Sequence, residues 1–362
     1  IGHEALSTED TGARNTAIGE GSLKTLNFDG NGYNVAVGYN SGHLMSTGIR
    51  NVLIGGLAGD ALTTGSSNIA IGLQALSTED EHGLNIAIGH NALASLNAGA
   101  DAYNVAIGHL AGENMTTGTL NTLVGGLAGD ALTTGQQNTA IGYEALSSED
   151  TGSRNTAIGE GSLTTLNFNG SGYNVAVGYN SGHVMTTGTE NTLIGGLAGD
   201  ALTTATFNTL IGKAAGGALT TGGYNVAIGG LALDAEDEHG YNVAVGYAAL
   251  TNQNAGANAY NVAVGFNAGT AITTGTANTL IGGLTGDALT EGANNVLLGY
   301  DAGGSLTTGS ENVAIGSYAL KTENVNGFNV AIGYSALEAL DAGDNGYNVA
   351  IGYKAGEAMS TG

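Results

Sequence analysis

Cysteine, proline and tryptophan are absent from the 362 residues. Without cysteine there is no disulfide, no thiolate metal site and no cysteine nucleophile, and the redox compartment stays open. Positive charge is scarce. Seven Lys and Arg stand against 31 Asp and Glu, a formal charge of −24. Such a field repels a phosphate backbone, so nucleic acid is not an expected partner. Charged residues make up only 10% of the chain, against about 25% in an ordinary soluble globular protein. No apolar run reaches the ~18 residues of a membrane-spanning helix, so no membrane insertion is expected of this segment, and no signal peptide opens it. Glycine is what abounds, at 65 residues. Disordered glycine-rich linkers lack a period and lack β-branched residues, and this chain has both.

The pentapeptide Asn-[Thr/Val/Ile]-[Ala/Leu]-[Ile/Val/Leu]-Gly occurs twenty times. Its Asn falls at Asn15, Asn34, Asn51, Asn68, Asn85, Asn104, Asn121 and Asn138, and onward to Asn348. The spacing is 17 residues, lengthened to 19 after Asn15, Asn85, Asn155, Asn242 and Asn329. No linker or shift of composition interrupts the array, so residues 1–362 read as one repeat domain. Ile1-Gly2 reads as the tail of one more repeat, and the phase at which the array starts and stops is that of a fragment of a longer one.

With Asn as position 1, position 2 is Thr, Val or Ile and position 4 is Ile, Val or Leu, shapes that suit a pleated strand. Positions 1 to 5 are therefore expected to be strand, and the invariant Gly at position 5 a turn. Position 8 is small. Positions 9 and 12 compensate: Gly59 goes with Leu62 and Gly42 with Met45, whereas Leu76 goes with Glu79 and Leu146 with Glu149. One large side chain per coil on this side is what close packing of stacked layers requires.

A 17-residue coil cannot stand alone. Ordering it costs about 1–2 kcal/mol per residue, and its few buried side chains return about 1.5–3 kcal/mol each. The expected fold is all-β, a parallel β-solenoid or β-roll of about 21 coils, a rod of roughly 100 Å at about 4.8 Å per coil. The Asn residues would form a ladder from coil to coil. The 19-residue repeats should keep the core and differ by a loop before the next Asn, as at 27–33 and 97–103.

The strand is apolar on both faces. Positions 2 and 4 are assigned to the inside of the roll. Position 3, which is Ala or Leu throughout, then faces outward, and Leu53, Leu123, Leu193, Leu210, Leu280 and Leu297 form a stripe that other chains should bury. The expected partner is thus a further copy of the chain, in a homo-oligomer or filament.

The segments Asn-Thr-Ala-Ile-Gly-Tyr-Glu-Ala-Leu at 138–146 and Asn-Val-Ala-Ile-Gly-Tyr-Ser-Ala-Leu at 329–337 resemble the repeat arrays of phage tail-fibre-like and bacterial surface fibre proteins. Asn-x-Ala-Ile-Gly is also similar to the head repeats of trimeric autotransporter adhesins, which form a left-handed parallel β-roll with three chains around one axis. The resemblance covers the whole chain. It implies a homotrimeric rod and an extracellular, cell-surface or virion location, although the coil of 17 residues is longer than that of the adhesin heads.

No Gly-x-Ser-x-Gly elbow is present and no helix is expected, so the chain reads as a non-enzyme without cofactor. Gly-Gly-Leu-Ala-Gly-Asp at 55–60, 125–130 and 195–200 resembles the calcium loops of other β-rolls. Its Asp60, Asp130 and Asp200 lie 70 residues apart, however, and one aspartate does not make a calcium site. The Glu-Asp pairs at 9–10, 79–80, 149–150 and 236–237 read as solvated charges at one corner, with divalent cross-linking between fibres as the alternative. His90 and His109 both occupy position 6 of adjacent coils, where stacked rings are a weak metal candidate beside an ordinary surface reading. Tyr224, Tyr241 and Tyr260 precede the Asn of consecutive coils and would form an aromatic strip able to contact glycans. The leading expectation is a structural extracellular fibre or filament, the shaft of a phage or bacterial surface appendage. The alternative is a carbohydrate-binding adhesin that uses the tyrosines.

Overall fold

The computed structural model describes residues 1–361; Gly362, where the repeat count ends, lies outside the described residues. The chain divides into two compact units, Ile1–Asn180 and the part from Ser181 onward. Each unit is an all-β parallel solenoid in which one repeat makes one turn. The first holds ten three-residue strands, β1 (Thr16–Ile18) through β10 (Val175–Val177), and the second ten more, β11 (Thr192–Ile194) through β20 (Val349–Ile351). Among the described residues there is no helix.

The strands cover positions 2 to 4, so they are shorter than the five residues expected. Asn at position 1 and Gly at position 5 lie in the corners. Each strand pairs in register with that of the next coil of its unit, as Thr122↔Thr139 and Thr192↔Thr209 show. The 19-residue coils keep that register: Thr16 pairs with Val35, Ile86 with Val105 and Val243 with Val262. The two extra residues go into a mostly exposed stretch at 27–33, while Leu23 and Leu26 of the same coil stay buried.

The corners explain the glycines. A Cβ added to Gly55 would lie 2.4 Å from the carbonyl oxygen of Gly72, its counterpart one coil on. Position 5 is thus a column of backbone on backbone that admits no side chain. Other corners use left-handed backbone with larger residues, as at Asn40 (φ 51°), Leu76 (φ 51°) and Tyr103 (φ 53°). These αL residues are uncommon outside glycine, and the surrounding ladder bonds hold them in place.

The structure reverses the expected facing of the strand. Position 3 points into the roll: Ala36, Leu53, Leu123, Leu193, Leu210, Leu280 and Leu297 are all fully buried within their own coils. Positions 2 and 4 point out, and every strand except the terminal β1 and β20 shows a buried centre between two partly or fully exposed residues. Ile141, for example, is 37% exposed. The reason is volume. A Cβ on Gly59 would come within 2.8 Å of both Leu53 Cδ2 and Leu62 Cδ1, and one on Gly42 within 2.7 Å of Leu53 Cδ1. All six coils with Leu at position 3 have Gly at position 9, so the two positions share one interior space. Position 8 (Ala58, Ala75, Ser22) and position 12 (Leu62, Met45, Ile272) complete that core and are fully buried.

Candidate functional site

The asparagine column is the most regular polar feature. Asn34, Asn51, Asn68, Asn85, Asn104 and Asn121 are fully buried, Asn138 is 1% exposed, and Asn15 at the start of the column is partly exposed. The Oδ1 of each accepts from the backbone N–H of the next Asn, at 3.1 Å for Asn15 to Asn34 and 2.9 Å for Asn34 to Asn51, Asn51 to Asn68 and Asn121 to Asn138. The Nδ2 group of the 17-residue coils mainly donates inward, to the position-15 carbonyl of its own coil: Asn34 to Gly48 and Asn51 to Gly65, both at 2.9 Å. In several coils it also reaches the Oδ1 of the Asn before it, as Asn51 does to Asn34 at 3.3 Å. In the 19-residue coil of Asn85, Nδ2 turns instead to the carbonyl of Gly83 at 3.2 Å. The column therefore joins corner to corner inside the coil as well as coil to coil.

A second polar group belongs to the core and not to the solvent. Glu79, Glu149 and Glu236 are fully buried, which corrects their reading as solvated charges, and Glu323 is buried like them. Each sits in the coil just before a 19-residue one. The Oε1 of Glu149 accepts from the N–H of Gly152 at 2.7 Å, and its Oε2 from that of Phe168 at 3.2 Å, inside the longer loop. Glu79 and Glu323 bond Ala98 and Ala342 in the same way. The inserted loop exposes a backbone donor, and the buried carboxylate satisfies it. Burial pushes the carboxyls of Glu149 and Glu236 above their ordinary value, with the backbone donors partly offsetting it. The signal was present in the sequence: Glu at position 12 precedes every long coil.

Asp60, Asp130 and Asp200 are half-buried at a corner, each with its carboxyl raised chiefly by burial. None of the three belongs to a group of three or more potential metal ligands among the described residues. His90 and His109 are exposed and stacked, with ring centroids 5.3 Å apart. Tyr224, Tyr241 and Tyr260 extend a column that begins at Phe207, with centroids 5.0 to 5.3 Å apart and interplanar angles of 16°, 6° and 25°. The rings face one another, so the column offers solvent its edges and hydroxyls.

The outward strand face is a further regular surface feature. Ile, Val and Leu at position 4 form an apolar column along each unit, exposed at Ile54, Ile107, Ile141, Ile194, Ile281 and Leu298, beside a position-2 column of Val, Ile and Thr. Exposed aromatics adjoin the strand in sequence, among them Tyr39, Tyr103, Tyr179 and Phe266. Exposed apolar surface of this kind is the material from which protein interfaces are built. Among the described residues no pocket opens and no helix is long and apolar enough to cross a membrane. No family model, curated protein or solved structure matches the chain.

Proposed function

We propose that the chain is a structural, non-enzymatic repeat element of an extracellular fibre or filament, such as the shaft of a phage or bacterial surface appendage, and that it assembles with copies of itself. The observation that carries this reading is the outward strand face, where position 4 is apolar in all twenty repeats and position 2 is Val or Ile in thirteen and Thr in the other seven. A column repeated coil after coil fits a partner with the same rise per coil, and a second copy of the chain has it. The three-chain arrangement suggested by the resemblance to adhesin heads is the form favoured here. Self-association would use this face, because the position-3 leucines are already enclosed by their own coils. The charge of −24 keeps assemblies from bundling through other faces at low salt.

Sedimentation of the purified chain and of an Ile107→Asp, Ile141→Asp double variant tests this. The parent should sediment as an oligomer, and the variant should shift toward monomer with an unchanged far-ultraviolet spectrum. A monomeric parent, or a variant that assembles like it, would remove the self-assembling fibre from consideration.

A further inference from the structure

Two coils depart from the repeat in the same way. Position 15 is Gly in most 17-residue coils, but it is His82 in the coil of Asn68 and His239 in that of Asn225. Both histidines fall within Glu-Asp-Glu-His-Gly, at 79–83 and 236–240, one copy in each unit. The related corners at 9–12 and 149–152 read Glu-Asp-Thr-Gly and lack the imidazole.

The two histidine corners are built alike. His82 and His239 donate their backbone N–H to Oε1 of Glu79 and Glu236, at 3.2 Å in each case. Oδ1 of Asp80 and of Asp237 accepts from the following N–H at 2.7 Å. The carbonyls of His82 and His239 accept from Nδ2 of Asn68 and Asn225 at 3.2 Å, which ties each corner to the asparagine column. One ligand atom from each of Glu79, Asp80 and His82 lies within 4.8 Å of the others, and so it is for Glu236, Asp237 and His239.

Nδ1 of His82 and of His239 is buried without a hydrogen-bond partner, and it stands 3.6 Å from Oε1 of the neighbouring glutamate. That distance is too long for a hydrogen bond. It is close to the ~3.4 Å edge of a tetrahedron whose metal bonds are about 2.0–2.1 Å. In the second corner Glu236 is fully buried, and its Oε2 has no partner at all. An unpartnered buried imidazole nitrogen in each corner, and an unpartnered buried carboxylate oxygen in the second, are costly unless a proton or a cation satisfies them.

We propose that Glu79, Asp80 and His82, and equally Glu236, Asp237 and His239, are two divalent transition-metal sites of the zinc type. Two carboxylates and an imidazole supply three ligands, and water completes each open site. The imidazole selects the class, since an oxygen-only corner would suit calcium. The burial that raises the Glu236 carboxyl is relieved by a cation held against it. The assignment stands whether or not the chain forms fibres.

The test is calorimetric titration of the chelator-stripped full chain with zinc chloride, repeated on His82→Gln, His239→Gln and the double variant. These side chains are about a quarter exposed (26% and 25%), and the backbone bonds of the corner do not use the ring. The variants should therefore keep the parent's circular dichroism. Glu236→Gln serves as a second variant that retains shape at the second corner. Two equivalents of zinc that fall to one in each single variant and vanish in the double variant would support the proposal. Absence of zinc uptake by the parent, or uptake that persists in the double variant, would overturn it. So would calcium uptake in place of zinc that ignores loss of both histidines.

Discussion

Leu123 and Val124 are neighbours in one strand and live in different surroundings. Leu123 is fully enclosed by its own coil, whereas Val124 is half-exposed, as Thr122 is. Both residues are apolar, so hydrophobicity alone does not separate them. Shape does. The interior takes Ala or Leu, whichever the partner at position 9 leaves room for, and the β-branched residues go to the outer face, where strand geometry favours them. The inner column holds the coil together, and the outer one is free to meet something else.

The sharpest way to break this comparison is a charge on each side. Leu123→Asp buries an unpaired carboxyl and should cost at least about 4 kcal/mol or prevent folding of the unit. Val124→Asp should cost less than about 1 kcal/mol in the isolated chain. Urea unfolding followed by circular dichroism measures both, and similar losses for the two would mean the facing is wrong. Next in size is Asn121→Ala. It leaves the N–H of Asn138 and the carbonyl of Gly135 without the partners they have at 2.9 Å, a cost of about 2–4 kcal/mol for two buried groups.

Gly129→Leu should cost about 1–3 kcal/mol by overpacking, because a Cβ there already meets Leu132 Cδ1 at 2.8 Å and Leu123 Cδ2 at 2.9 Å. Adding Leu123→Ala should recover at least half of that loss, since it recreates the combination found at Ala87 and Leu93. A double-mutant cycle with no coupling would separate two positions that the structure joins.

The smallest effect concerns pH. Burial raises the carboxyls of Asp60, Asp130, Asp200, Asp234, Asp287, Glu149 and Glu236. A carboxyl with a raised folded value holds its proton more tightly folded than unfolded. Its contribution is therefore full below the ordinary carboxylate range and is lost as pH rises through the folded value. Lowering the pH from 7 toward 5 should raise the melting temperature by about 2 °C. Glu149→Gln with Glu236→Gln should flatten that slope, and calorimetric scans at three pH values would detect it.

The coil, its period, the strand and the asparagine column could be read from the repeat, because Asn15 to Asn348 mark every turn. Positions 8, 9 and 12 were also legible as core, because Gly59 with Leu62 and Leu76 with Glu79 trade volume within a coil. The facing of the strand is not legible from hydrophobicity, because Val and Ile are more hydrophobic than Ala; it follows from the exclusion between Leu53 and any large side chain in place of Gly59. The part played by Glu149 escaped for a related reason. A carboxylate at a corner reads as surface until the unpaired N–H of Phe168 in the next, longer coil is located. The histidine corners depend on side-chain approach across three residues, which spacing alone does not give.

The asparagine column runs one way. Oδ1 of each Asn waits for the backbone N–H of the coil that follows in sequence, as Asn104 Oδ1 does for Asn121 at 3.0 Å and Asn278 Oδ1 for Asn295 at 3.0 Å. A finished coil therefore presents a fixed acceptor beside the open edge of its strand, and the next segment off the ribosome has a template waiting for it. A coil added at the carboxyl end brings a donor to an acceptor already placed, whereas one added at the other end brings its asparagine to an N–H already placed. Within each unit the polarity of synthesis and the polarity of the ladder coincide, and the array can crystallise onto itself one turn at a time.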